Sequence, residues 1–251
     1  MTAILNQHEN YLQADQAYGF PLLIKNLLSR AKVVSGDKKI HYADKTSYTY
    51  HEFFKRVNRL ANVLKGLNLQ KGDVVAVMDW DTHRYLECYF AIPMCGYILQ
   101  TVNVRLSEDK VLYTINHAKP KALLLNSEFS PMIKSHTQDA PSVEHVIWLD
   151  DNNTPMPPYA QGEYEAMLAQ ASDEYEFEDF DENTIATTFY TSGTTGNPKG
   201  VFFSHRQIVM HTLVVAIGCA LNVEGQGLRY SDVYMLSLIH ISDGAREACR
   251  S

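Results

Sequence analysis

Residues 190–200 read Tyr-Thr-Ser-Gly-Thr-Thr-Gly-Asn-Pro-Lys-Gly. Inside this bend stand Gly193 and Gly196, the hydroxyls of Thr191, Ser192, Thr194 and Thr195, then Pro198 and Lys199, with no acidic group. Glycines let consecutive backbone N–H groups turn toward one concave side, which makes a nest for anions. The hydroxyls add donors, and the lysine adds a mobile positive charge suited to phosphate oxygens. A short apolar β-type run at 185–190 leads in, and another, Val201-Phe202-Phe203, leads out. The bend therefore joins two strands and has the chemistry to hold a polyphosphate.

Spacing separates it from the loop of kinases and GTPases. That loop needs G-x-x-x-x-G-K-[ST] running from a strand straight into a helix. Counted from Gly193, the second glycine falls on Pro198, and a proline there biases Asn197 away from helical geometry. A functionless Gly/Thr surface loop is the plainer alternative. The joint presence of anion donors, Pro198 and Lys199 in one ordered pattern argues against it.

Working outward, the apolar periodicity predicts a helix at 20–32, a hairpin through 40–50, and a helix opened by a Thr49/Glu52 capping box. The face of that helix is Phe53, Val57, Leu60, Leu64 and Leu67, with Gly66 as its stop. Strands follow at 74–78, 97–102, 122–125 and 145–149. They alternate with helices at 83–94, from Ser107 to 118, and at 129–137. A loop at 150–158, a short helix at 161–171 and an acidic connector at 173–183 precede the phosphate bend. A second capping box, Ser204/Gln207, opens a helix at 205–221 whose apolar stretch, 208–221, reads as buried. Alternating strands and helices imply an α/β fold with a mainly parallel sheet covered on both faces.

The 251 residues can bury a sizeable core. A formal charge of -7 argues against nucleic acid as a partner. The connector holds seven carboxylates without a glycine-turn calcium pattern, so it reads as solvated and not as a metal site. Cys88, Cys95, Cys219 and Cys249 lack metal spacing, and residues 1–18 are polar, which together suggest reduced thiols in a cytoplasmic protein. The stretch 208–221 is too short to span a bilayer, so any membrane contact would be peripheral.

The bend at 190–200 resembles, throughout, the signature phosphate loop of the AMP-forming adenylating enzymes, a superfamily that includes acyl-CoA synthetases, peptide-synthetase adenylation domains and luciferases. The likeness runs from about residue 22 to 236. Met78-Asp79-Trp80-Asp81-Thr82-His83-Arg84-Tyr85-Leu86-Glu87 and Thr101-Val102-Asn103-Val104-Arg105-Leu106 look most like medium- to long-chain fatty acyl-CoA ligases. Ser204-His205-Arg206 and His211 also fit the pattern, although such histidines and arginines are more often structural. The Trp80/Tyr85 pair reads as packing.

The resemblance implies the N-terminal portion of the large domain of an acyl-adenylate-forming enzyme, with ATP, magnesium and coenzyme A as reactants alongside a fatty acid. It implies phosphate binding by Thr191, Ser192, Gly193, Thr194, Thr195, Gly196 and Lys199, and Thr191 as a magnesium neighbour. An adenylating domain for another carboxylic acid and a non-catalytic nucleotide-binding fragment stay open as alternatives.

By the same resemblance, residues 1–19 are an extension and 20–236 a truncated AMP-binding domain. The family's catalytic lysine belongs to a C-terminal domain not present, so no catalytic residue is expected in this segment and the chain alone is expected to be inactive. From Leu236 the text L-S-L-I-H-I-S departs from the pattern and resembles a translated transposon end, so 237–251 is expected to be an assembly scar.

Overall fold

Four unequal stretches, residues 19–134, 136–191, 196–220 and 232–233, are described by the structure, a computed structural model. Helix α1 (Ile24–Val34) is followed by an antiparallel hairpin, β1 (Lys39–Tyr42) and β2 (Thr46–Thr49), and by α2 (Tyr50–Gly66). Next come β3 (Val74–Met78), α3 (His83–Met94), β4 (Ile98–Thr101), α4 (Glu108–Ala118) and β5 (Ala122–Asn126). A 3-10 helix (Ser127–Met132), α5 (His136–Asp139), β6 (His145–Leu149), β7 (Gly162–Glu163) and α6 (Tyr164–Gln170) lead to β8 (Ile185–Thr191), β9 (Lys199–Ser204) and α7 (His205–Ala220).

Among the described residues seven strands form one sheet in the order β7-β6-β5-β3-β4-β8-β9. Every neighbouring pair is parallel except β8 with β9. The cause is visible in the strands, since β3 (VVAVM) and β5 (ALLLN) are unbroken apolar runs. Such strands must be covered on both faces, and parallel pairing needs crossover helices that supply the cover. On one face Phe53, Val57, Leu60 and Leu64 of α2 share a core with Val75, Val77, Leu99 and Leu124. On the other, Val111 and Ile115 of α4 meet Met78, Leu123, Leu125 and Trp148. Each fully buried leucine or phenylalanine contributes about 1.5–3 kcal/mol.

Capping follows the sequence in part. Thr49 Oγ1 accepts the Glu52 N–H at 3.2 Å, but the Glu52 carboxylate turns to Arg59 at 2.9 Å, so only half of that capping box forms. Helix α2 ends at Gly66, as the spacing predicts, while the left-handed reversal falls two residues on at Asn68 (φ 56°). Both halves of the second box are made: Gln207 Oε1 accepts the Ser204 N–H at 2.9 Å, and Ser204 Oγ accepts the Gln207 N–H at 3.3 Å. Ser107 flanks α4 without a side-chain cap.

Three expectations are corrected. The helix expected at 129–137 is instead the 3-10 turn, which contains Pro131, and the short α5, because proline removes a helical donor. Residues 161–171 begin as strand β7 on β6 before α6 starts. The stretch expected to be a buried helix, α7, is exposed from Met210 onward, with Val214 64% and Ile217 57% accessible, because only its first turns lie against α1 and the core.

The acidic connector is a strap. Asn58 donates to the Asp173 carbonyl at 2.8 Å, and Asn62 donates to those of Ser172 and Glu174, both at 2.9 Å. Lys25 holds the Phe177 carbonyl at 2.6 Å. Tyr175 and Phe177 pack on the core beneath it. Cys88 and Cys95 are buried, and burial pushes the Cys95 thiol up to about 12 and that of Cys88 well above its ordinary value. Among the described residues no helix is long and apolar enough to cross a membrane. Residues 1–18, Cys249 and the tail at 237–251 lie outside the described residues.

Candidate functional site

Strand β8 runs parallel to β4, so its carboxyl end emerges on the same edge of the sheet as those of β3 and β4. There it enters the bend and returns antiparallel as β9. The register sets Thr191 opposite Lys199, Tyr190 opposite Gly200 and Phe189 opposite Val201. Directly opposed residues of an antiparallel pair project to one face, so Thr191 and Lys199 send their side chains out on the same face of the two arms. Both residues are exposed. Gly196 adopts φ 95°, a conformation that only glycine enters without strain. Ser192, Gly193, Thr194 and Thr195 lie outside the described residues. Between Glu182 and Glu224 the chain has no acidic side chain, so no carboxylate of this stretch competes for Lys199.

An open groove of about 400 Å³ adjoins this edge. Its walls include the stacked rings of Tyr85 and Tyr89 (centroids 5.0 Å apart, planes 9° apart), the acid Asp81, and the Asn103/Arg105 loop after β4. Phe189 and Tyr190, near the end of β8, also line it. A larger depression of about 560 Å³ lies by Lys32, Lys55 and the strap, beside other elements than the bend.

The crevice between the carboxyl ends of β3 and β5 is the topological switch of this sheet, where ligands often bind in open α/β folds. Here the chain's own side chains fill it. Asp79 accepts from Thr82 Oγ1 at 2.5 Å, from Asn126 Nδ2 at 2.6 Å and from the Trp80 N–H at 2.9 Å. Burial pushes the Asp79 carboxyl above its usual range, opposed by the Arg84 charge and these hydrogen bonds. Arg84 is itself buried and held by Asp151 at 3.0 Å. Trp80 packs on Phe129 with centroids 4.8 Å apart and donates to Glu128 at 2.9 Å. Trp80 and Tyr85 are packing residues that also border the groove.

The other residues singled out in the sequence separate by role. His205 is buried, with Nδ1 accepting the Ile24 N–H at 3.3 Å. Burial depresses its imidazole to about 4, against the pull of the Pro93 carbonyl. It anchors α1 to the start of α7. Arg206 pairs with Glu182 at the end of the strap, and His211 lies exposed on α7. Arg105 lies at the groove rim, its N–H donating to Asn103 Oδ1 at 3.1 Å. Two features escaped sequence reasoning. One is the link from Tyr190 to His117 of α4, and the other is the fully buried Glu87 with Arg56. Neither partner is near the other in the chain.

The sequence pattern of the AMP-binding enzyme family matches residues 28–245. The chain is 33% identical over 211 residues to the medium-chain-fatty-acid–CoA ligase of Ectopseudomonas oleovorans, covering 82% of this chain and 39% of that protein. It is 32% identical over 214 residues to the peroxisomal benzoate–CoA ligase of Arabidopsis thaliana, covering 81% and 37%. Among solved structures, ATP-bound MatB of Rhodopseudomonas palustris matches with a TM-score of 0.67 and 26% identity, over 79% of this chain and 38% of that one. The chain thus spans about two fifths of the length of the curated relatives it matches.

Proposed function

The chain belongs to the AMP-binding enzyme family, and on that premise we propose that it is the N-terminal part of an ATP-dependent acid–thiol ligase. The reaction proposed is fatty acid, ATP and CoA going to acyl-CoA, AMP and diphosphate through an acyl-adenylate. The observation that carries this reading is the β8–β9 bend, which sets an exposed hydroxyl beside an exposed lysine around a left-handed glycine. Anion-seeking groups gathered at the carboxyl edge of a parallel sheet are suited to a nucleotide's phosphates.

In the first step a carboxylate oxygen bonds to the α-phosphorus of ATP while the bond to pyrophosphate breaks. A carboxylate is a weak nucleophile, so alignment and charge stabilisation are the protein's main tasks. Thr191, Ser192, Gly193, Thr194, Thr195 and Gly196 are proposed to hold the β- and γ-phosphates, and Lys199 to neutralise the departing pyrophosphate. CoA thiol then displaces AMP. Magnesium prefers oxygen ligands and keeps phosphate oxygens and waters about it. The exposed Thr191 hydroxyl fits beside such an ion, and when bound the ion draws charge from the phosphate oxygens.

The likeness to a benzoate–CoA ligase at nearly the same identity favours keeping an aryl acid as the second reading. Acid-dependent ATP–pyrophosphate exchange by the complete enzyme separates the two. Exchange with medium- or long-chain fatty acids supports the first, exchange with benzoate only supports the second, and none with any acid contradicts both. A cytoplasmic location, a domain at 20–236 and a non-native tail at 237–251 complete the proposal. Resequencing the gene from a long read tests the tail, and an unchanged tail and stop codon would refute that part.

A further inference from the structure

Tyr190 is the last residue of β8 before the exposed Thr191, and it is buried. Its hydroxyl lies 2.8 Å from His117 Nδ1 in the last turn of α4. The two rings meet edge to face, centroids 5.7 Å apart and planes at 86°. Tyr113, one turn earlier on α4, backs the imidazole at 5.8 Å. On its other side the Tyr190 ring lies over Gly200, the residue opposite it on β9. A Cβ added at Gly200 would sit 3.4 Å from Tyr190 Cε1 and 3.6 Å from its hydroxyl oxygen. Thus one side chain touches both arms of the bend and fastens them to a helix of the core. Burial, with Tyr113 nearby, raises the Tyr190 phenol, so it keeps its proton at neutral pH while sharing a hydrogen bond with Nδ1.

We propose that Tyr190 and His117 form a positioning brace for the phosphate bend. The bend's donors can stabilise charge only if they are held in place before the nucleotide arrives. Among the described residues β9 has β8 as its one neighbour in the sheet, so the turn that joins them draws little support from other strands. The brace rests on the reading of residues 191–199 as the triphosphate site. Neither side chain touches the reacting atoms; both act through the backbone of the bend.

The test uses the complete enzyme and measures ATP–pyrophosphate exchange, resolved into KM for ATP and KM for the acid, with the thermal midpoint recorded beside them. Tyr190→Phe removes only the hydroxyl and keeps the ring over Gly200. Together with His117→Ala it should raise the ATP KM by about three- to tenfold, the weight of one hydrogen bond. The acid KM should stay where it was, and the thermal midpoint should fall by no more than the few degrees that one hydrogen bond carries. The double variant should be no worse than either single one, since the two groups act as a pair. His117→Asn, which places an amide able to accept or donate near the Nδ1 position, should recover most of the loss.

Two results would overturn the brace while leaving the nucleotide reading intact. One is wild-type exchange with an unchanged ATP KM in both single variants. The other is a parallel rise in both KM values with a fall of many degrees in thermal midpoint, which is what a merely structural contact would give. Absence of exchange in the wild-type enzyme would remove the nucleotide reading and the brace together.

Discussion

Replacing Glu87 with alanine should be among the most damaging single changes in this segment, and its magnitude can be worked from the contacts. The carboxylate is 0% exposed and takes four hydrogen bonds: Arg56 Nε at 2.7 Å, Arg56 Nη2 at 3.3 Å, Tyr48 at 2.7 Å and Tyr164 at 2.6 Å. Alanine would leave a half-buried guanidinium facing a hole and two phenols without an acceptor. Removing one partner of a buried ion pair costs about 3–5 kcal/mol, and each stranded buried hydroxyl about 1–3 kcal/mol. These terms overlap, so about 4 kcal/mol is the expected loss. At about 2–4 °C per kcal/mol for a domain of this size, the thermal midpoint should fall by about 8–16 °C.

Arg56 offers an internal control. The same guanidinium holds Glu165 at 2.8 Å through two nitrogens, but that side chain is 41% exposed. Burial raises the Glu165 carboxyl, yet hydrogen bonds from His83 and Arg56 outweigh it and hold it down to about 2. Water can replace what Glu165→Ala removes, so that change should cost under about 1 kcal/mol. Differential scanning of the complete enzyme compares the two variants. Equal losses would refute the argument that burial, and not the count of hydrogen bonds, sets the cost.

Acid should act through His205. Its folded value of about 4 lies below the ordinary 6.5, so the unfolded chain binds the proton first. The stability carried by the neutral ring is therefore present above about pH 6.5 and lost as pH falls toward 4, by on the order of 3 kcal/mol. Unfolding followed from pH 7 to 4 should show that loss in the wild type and much less of it in His205→Asn; parallel curves would contradict it. Lys199→Ala in the complete enzyme removes a charge-assisted contact worth about 1.5–3 kcal/mol, so adenylation should slow roughly ten- to a hundredfold, and an unchanged rate would remove Lys199 from the mechanism. The 251-residue chain alone should be inactive in exchange and self-associate through the exposed α7 face, as sedimentation would show. Val214→Glu with Ile217→Lys should reduce the association, and a monodisperse wild-type chain would count against it.

Local patterns carried far because they are local. The α2 stripe at Phe53, Val57, Leu60 and Leu64, the apolar runs of β3 and β5, and the Ser204/Gln207 box each report on neighbours within a few residues, and all stand where the spacing puts them. The strand–bend–strand reading of 185–203 holds for the same reason. What was not legible depends on distant partners. Glu87 sits in a helix whose other residues gave no sign that Arg56, Tyr48 and Tyr164 would converge on it. His117 and Tyr190 are joined only by the β4–β8 pairing that brings α4 beneath the bend. The strap at 173–183 looked solvated because most of its carboxylates do face outward, while its carbonyls, which no composition reports, are held by Asn58, Asn62 and Lys25. The exposure of α7 was hidden for a related reason: an apolar run says that a helix seeks cover, not whether the described residues supply it.

The most direct test of the central claim follows backbone amide exchange across residues 191–199 of the complete enzyme during a titration with magnesium-ATP. Saturable protection of those amides, weakened by Lys199→Ala, is the result expected if the bend cradles the triphosphate. Tight nucleotide binding with protection elsewhere and no change in the bend would contradict it.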